Sequence, residues 1–337
     1  MRIGKYTYQL DSKVYIPFVS SICGTFEANG SLRTFVDNVM QDDLWGCKTH
    51  EMAEIKMQKH IISQCLERAN INDKVLDCII GGDLINQIVP TSFSAREFET
   101  PFLGLYNACS TFGEALIVGS CMLNNDMDKV ICVTSSHYAT AERQYRFPLE
   151  LGTQPTPSSQ WTVTGAGCVL LDKNPSNCPY ITRYVIGRIV DLQCSDANNM
   201  GAVMAPAAFD TIYKYFDDTG ESPDDFDIIL TGDLGRFGMD TLHYLLSRSN
   251  ISASNLNDCG CLIYSKEQNA VQGGSGAGCS SLVFCEYIYK LFEQNDLQRI
   301  LFVPTGALLS KDSPLQGSSI SAIAHAVVIE KCHKACQ

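Results

Sequence analysis

At 337 residues and 45% hydrophobic content the chain can bury a large core, and its length suits two domains or two halves sharing one interface. Its 37 acidic against 25 basic residues leave a net charge of −12 with no basic block, which argues against nucleic acid and against a purely electrostatic hold on an anionic membrane. An anionic ligand would therefore need locally positive potential.

In chain order, the opening MRIGKYTYQLDSKVYI lacks the apolar region of a signal peptide, and no segment approaches the ~20 apolar residues of a spanning helix. A cytosolic-type protein is expected, with any membrane association running through a partner. Met52 to Ala69 has helical periodicity, Val75–Gly81 reads as a short buried strand, and Phe102–Asn107 as another. A helix from about Ser110 to Leu123 and a strand Val130–Thr134 follow; strand, helix, strand implies a parallel sheet with helical crossovers. The polar and aromatic stretch from Ser135 to Ser159 is too long for a simple turn. Trp161–Asp172 closes a first half, residues 1–175, and Tyr180–Asp191 opens a second, residues 176–337. There Pro206–Asp217 reads as helix with its proline in the first turn, Ile228–Gly232 as strand, Ser280–Gln294 as helix, Ile300–Pro304 as strand, and Ser321–Glu330 as the terminal strand pair.

The halves repeat one another. ACSTFGEALIVGSCMLNNDMDKVICVTSSH from Ala108 and GCSSLVFCEYIYKLFEQNDLQRILFVPTGA from Gly278 align without a gap at an offset of 170 and share Cys109/Cys279, Ser110/Ser280, Asn125/Asn295, Asp126/Asp296 and Val133/Val303. A second anchor, VLDCIIGGDLIN from Val75 and DFDIILTGDLGR from Asp225, pairs Asp83 with Asp233. That symmetric repetition points to a structural job such as capping the following turn.

Sixteen cysteines lie scattered through apolar runs, with no disulfide-type spacing and no Cys-x-x-Cys pair, so reduced core residues are expected and no metal site. The tail Cys332-His333…Cys336 is the one string with metal-ligand chemistry. Cys109 stands apart because it lies where an apolar strand gives way to a helix start. The sulfur would face the positive end of a helix dipole, which favours thiolate and would equally hold a carboxylate. The alternative is a small residue tolerated at a tight junction. The run from Gly273 to Gly278 is no phosphate loop, since no Lys-Ser/Thr follows; it suits a tight turn at the start of the Cys279 helix.

The ACST elbow, the duplicated halves and the GGSGAG segment resemble the thiolase and ketoacyl-synthase superfamily. More closely, GDLINQ, FLGLYNACST, TSSHYATAERQYRFP, WTVTGAG, MGAVMAPAAFDTI, NDCGCLIY and TGALLS resemble the stage V sporulation protein AD family of endospore formers, nearly end to end. The resemblance implies an α/β thiolase-like fold whose two pseudo-repeated halves form a five-layer α-β-α-β-α sandwich. It also implies a homodimer, peripheral at the forespore or spore inner membrane, that binds dipicolinic acid (pyridine-2,6-dicarboxylate), alone or with calcium. Other stage V sporulation A operon proteins are the implied partners in its uptake.

Departures from the catalytic superfamily bear on activity. Its enzymes add to the cysteine two second-half groups, His with His or His with Asn, the first in a Pro-His-x-Ala-Asn string. The matching strand here offers Thr231, Gly232 and Asp233, GGSGAGC carries neither His nor Asn, and none of the six histidines falls in either motif. A condensation would lack its acid/base equipment, and no cofactor is expected. Acyl transfer at Cys109, in the manner of ketoacyl synthase III, is the alternative to binding. By match, Cys109 and Ser110 floor the pocket. Ser135, Ser136 and His137 follow at the carboxyl end of a strand, where parallel sheets place ligand loops. His137 would donate to a carboxylate or be a satisfied structural histidine; Arg143 and Arg146 would clamp a carboxylate bidentately or form surface pairs with Glu142 and Glu150. His325 lies in the strand pair that lines the pocket in thiolase-like proteins, as ligand contact or core residue.

Overall fold

The computed structural model describes residues 1–146 and 148–331; the Cys332-His333…Cys336 string lies outside them. Its organising element is the strand Thr7–Cys23, to which the sequence alone assigns no element. One edge of it pairs antiparallel with Tyr180–Val185 and the other with Gly165–Asp172, so it joins two mirrored sets of strands into one sheet. From that centre the first half runs outward through Gly165–Asp172, Lys129–Ser136, Cys78–Gly82 and Phe102–Gly104. The second runs through Tyr180–Val185, Ala326–Glu330, Arg299–Val303, Ile228–Thr231 and Leu256–Asp258. In the second half the first two junctions counted from Tyr180–Val185 are antiparallel and the outer two parallel. In the first half the junction next to Gly165–Asp172 is antiparallel and the outer two are again parallel. The duplication read from the two Gly-Asp-Leu strings is therefore present as strand topology, since each string leaves the corresponding strand of its half.

Helices cover the sheet in layers. His50–Ala69 packs on the outer face of the first half, and Met200–Thr219 with Gly235–Arg248 on that of the second. Between the halves lie Thr111–Leu123 and the helix that starts at Ala277 and continues, through a π turn at Phe284–Ile288, to Gln294. The result is the five-layer sandwich, with one central apolar core around the middle helices and one outer core under each outer helix layer. Strands buried on both faces show this residue by residue: Val130 and Cys132 face the central core while Ile131 and Val133 face the outer one. Val327 and Ile329 likewise face inward and Val328 outward.

Local chemistry sets the element ends. Thr49 accepts the Met52 N–H at 3.2 Å to open the first long helix, and Asn70, at φ +52°, closes it. Asn199 accepts the Ala202 N–H at 3.2 Å and starts the helix of the second half at Met200. Pro206 consequently lies inside that helix rather than in its first turn, correcting the reading of a start at Pro206. The stretch 135–159 also departs from a featureless loop: it contains the helix Tyr138–Tyr145 and a short 3-10 turn at Leu149–Leu151. All the cysteines among the described residues are free, and none of the described helices is long and apolar enough to cross a membrane.

Candidate functional site

The elbow at Cys109 is built by its neighbours' hydroxyls. Phe102–Gly104 ends, the chain turns at Ala108 with φ +49°, and helix Thr111–Leu123 begins two residues after the cysteine. A non-glycine residue in the left-handed region costs of order 1 kcal/mol and needs support. Thr111 Oγ1 supplies it by donating to the Ala108 carbonyl at 2.7 Å and accepting the Asn107 N–H at 3.0 Å. Ser110 Oγ donates to the Asn107 carbonyl at 2.9 Å. Ser110 is thus a buried brace of the elbow and presents no free donor to a ligand.

Above the elbow opens a cleft of about 540 Å³ counting its solvent-open mouth. Its walls are apolar: Leu84, Ala141, Met200, Met204, Ala307 and Leu309, with the rings of Tyr106 and Tyr145. Polar groups reach it at few points. Arg146 lies on one wall and Thr162 nearby; the floor is Cys109, Ser275 and Gly276. Tyr106 and Tyr145 share a hydrogen bond of 2.8 Å between hydroxyls, and Tyr145 also donates to the Leu84 carbonyl.

Both halves meet at the floor. Trp161–Thr162 pairs in parallel with Gly274–Ser275, and the chain passes Gly276 at φ +118° into the Cys279 helix, the tight turn expected of the glycine run. The Cys109 sulfur lies 3.8 Å from Ser275 Oγ. Ser275 in turn donates to Asp233 Oδ2 at 2.7 Å, Gly276 N–H donates to the same oxygen at 3.2 Å, and Thr305 Oγ1 donates to Oδ1 at 2.8 Å. Burial raises Asp233 to about 6 despite these donors. Burial and the adjacent Asp233 push the Cys109 thiol well above its ordinary range. The thiolate expected from the helix start is therefore disfavoured: desolvation and a neighbouring carboxylate outweigh the helix dipole.

The paired aspartates part company. Asp83 does cap its turn, accepting from Ile85 N at 2.8 Å and from Thr91 N at 2.9 Å. Asp233 turns instead toward the floor, so the shared capping role holds for Asp83 only.

Of the eight residues singled out in the sequence, Cys109 and Arg146 line this cleft. Ser135 Oγ donates to Glu54 at 2.8 Å and accepts from Gln58 at 2.6 Å beneath the outer helix. Ser136 Oγ donates to the Val163 carbonyl at 2.7 Å and accepts Gly278 N–H at 3.1 Å. His137 caps the helix Tyr138–Tyr145: its Nδ1 accepts Ala139 N–H at 3.2 Å, which leaves Nε2–H to donate to the Asp43 carbonyl at 2.8 Å. It is buried, and burial lowers its pKa, so the ring positions Tyr145 and Arg146 without reaching the cleft. Arg143 pairs with Glu51 on the outer face. His325 accepts Gly187 N–H on Nδ1 at 3.1 Å and meets the Asn107 side-chain amide through Nε2 at 2.6 Å. Burial lowers it to about 4, so it is a neutral prop behind the elbow. Sequence reading missed Tyr106, Tyr145 and Ser275 as wall and floor residues. Only the adjacency of Tyr106 to the elbow could have signalled one of them.

A duplicated five-layer sandwich with a cysteine at a strained strand-to-helix elbow defines a thiolase-like fold. The solved structures agree on the fold: a single-residue variant of OleA from Xanthomonas campestris is 14% identical with a TM-score of 0.60, covering 96% of this chain and 99% of its own. The 3-oxoacyl-[acyl-carrier-protein] synthase III of Aquifex aeolicus VF5 is 14% identical with a TM-score of 0.52, covering 97% and 98%. The chain belongs to the stage V sporulation protein AD family, whose model matches residues 4–330. It is 36% identical over 330 residues to stage V sporulation protein AD of Bacillus subtilis (strain 168), covering 97% of each chain.

Proposed function

We propose that this chain is a binding protein rather than an enzyme, taking dipicolinic acid into the cleft above Cys109 and supporting its uptake into the forespore. The observation that carries the reading is the pairing of an arginine-bearing aromatic cleft with a disabled floor. Tyr106, Tyr145, Met200 and Met204 offer faces for a flat ring, and Arg146 offers a guanidinium fork for a carboxylate. Arg146 now pairs with Glu142, whose pKa is raised by burial, so a ligand carboxylate would compete with a carboxylate whose charge burial already disfavours. The second-half His and Asn of the catalytic superfamily have no counterpart at Gly232, Asp233 or Ser275. Acyl transfer retains one point of support, the strained elbow at Ala108.

In the same proposal the acid enters free or with calcium, and the chain acts beside the other stage V sporulation A operon proteins at the spore membrane. A homodimer is proposed on the first half's edge strand Phe102–Gly104, one of the two ends of the sheet, whose outer edge pairs with no other strand among the described residues.

Differential scanning of the purified chain against dipicolinate should give saturable stabilisation, about 2.7 kcal/mol at a hundred times Kd. A flat response would overturn the binding reading. Intact mass after incubation with acyl-thioesters should show no adduct, and a stoichiometric, turnover-competent adduct on Cys109 would establish the acyltransferase instead.

A further inference from the structure

The floor of the cleft has an unusual economy of hydrogen-bond donors. Three groups there could donate to a ligand or a developing oxyanion, the Cys109 thiol, the Ser275 hydroxyl and the Gly276 amide, and the buried Thr305 hydroxyl lies behind them. Asp233 collects them. Its Oδ2 receives Ser275 and Gly276, its Oδ1 receives Thr305, and the Cys109 sulfur lies against Ser275 within the field of the same carboxylate. Asp233 is itself fixed, since its own N–H donates to Thr305 Oγ1 at 3.2 Å and its carbonyl accepts from Gln160 Nε2 at 2.5 Å. It is 1% exposed, so little water relieves its demand for donors.

We propose that Asp233 is the positioning residue that disarms Cys109, drawing the donors of the floor to itself and holding the sulfur as an inert thiol. Two consequences follow from the chemistry. An oxyanion at the floor would meet a carboxylate where an acyl-transfer site needs an amide and a second donor, so no tetrahedral intermediate is stabilised there. A ligand carboxylate is repelled from the floor for the same reason and must face Arg146, leaving the ring edge toward Cys109. The orientation rests on the binding reading above; the disarming of the sulfur does not require it.

Other groups face the sulfur and would share in its titration. Tyr106 and Tyr145 stand across the cleft, Cys279 lies behind, Arg146 is on the wall, and Asp258 acts through Asp233. Asp233 is the one among them that also holds the donors beside the sulfur, and the one that an isosteric change removes.

The test is the pH profile of alkylation by iodoacetamide, read at the Cys109 peptide by mass spectrometry on folded protein. In that reaction the thiolate attacks the methylene carbon, iodide leaves and the thiol proton passes to solvent. Asp233→Asn should move the Cys109 profile down by at least one pH unit, about tenfold faster labelling at pH 7.5. Labelling of the buried Cys132 and Cys168 reports whether the variant remains folded. Ser275→Ala keeps the charge and removes a donor that partly neutralises it, leaving a stronger field on the sulfur, so its profile should move upward; it decides the matter if Asp233→Asn does not fold. A Cys109 profile unchanged in folded Asp233→Asn, or unchanged in Ser275→Ala where the first variant fails, overturns the proposal. Dipicolinate plays no part in this measurement, so its outcome and that of the binding titration are separable.

Discussion

Arg146 is where a single side chain decides most. It is the guanidinium that the cleft retains, its side chain is 18% exposed, and its Nη2 also donates to the Gln160 carbonyl at 3.3 Å. Charge-assisted hydrogen bonds contribute roughly 1.5–3 kcal/mol, so Arg146→Met should weaken dipicolinate binding about 10- to 100-fold in calorimetric titration while leaving the fold intact. Arg143→Met, on the outer face against Glu51, should leave the affinity unchanged in the same titration. The sequence offered these two arginines as equals. They lie three positions apart, but the chain turns Arg146 toward the cleft and Arg143 away, a distinction that composition does not carry.

Among the elements, the helix that begins at Ala277 is a tight join between halves. Gly278 lets it approach the first half so closely that a Cβ there would meet the Gly165 carbonyl oxygen at 2.2 Å and Ser136 N at 2.8 Å. Both obstacles are backbone and cannot swing aside. Gly278→Ala should therefore destabilise by about 3 kcal/mol or prevent folding, measured by urea midpoint. The glycine run was legible as a turn from its composition; its role as the contact between halves was not, because its partners lie more than a hundred residues away. The same holds for the strand Thr7–Cys23. Its polar and charged residues, such as Asp11, Ser12 and Lys13, hide a strand pattern that the pairing partners on both sides restore.

Across the molecule, acids buried in the gaps between layers tie stability to pH. Burial raises Glu27 to about 7 and, with Asp83 nearby, Glu54 to about 8; it raises Glu286 to about 8, with Asp37 adding to it. Each folded-state value lies above the unfolded one of about 4.3. Between the two the native state holds protons that the unfolded chain has lost, so stability falls as pH rises. The contribution is fully present below about pH 4.3 and is lost as pH rises through the folded-state values near 7 and 8. Urea midpoints should accordingly drop between about pH 5.5 and about pH 8.5, by an amount on the order of several kcal/mol in unfolding free energy. Glu54→Gln should flatten part of that slope, because an amide can accept from Ser135 at its oxygen and donate to Thr140 Oγ1 through its nitrogen without the charge.

The chain read alone already carried the duplicated architecture, the alternation of strands and helices, the elbow at Cys109 and the lack of the superfamily's second-half histidine and asparagine. These are local or repeating signals: buried strands are apolar runs, helices carry a 3.6-residue period, and a repeat can be laid over itself. Which side chains share a cavity was settled by packing. His137, Ser135, Ser136 and His325 are polar residues beside the right strands, yet each is consumed by a bond to a buried partner, a fact set by what packs against them. Asp233 and Ser275 are 42 residues apart, and the chain marked Asp233 only as the repeat partner of Asp83 and as a departure from the superfamily motif, with no link to Ser275. They meet under Cys109 because two halves of one sheet wrap around a shared pair of helices, and burial there fixes the charge state that the helix start alone would have set the other way.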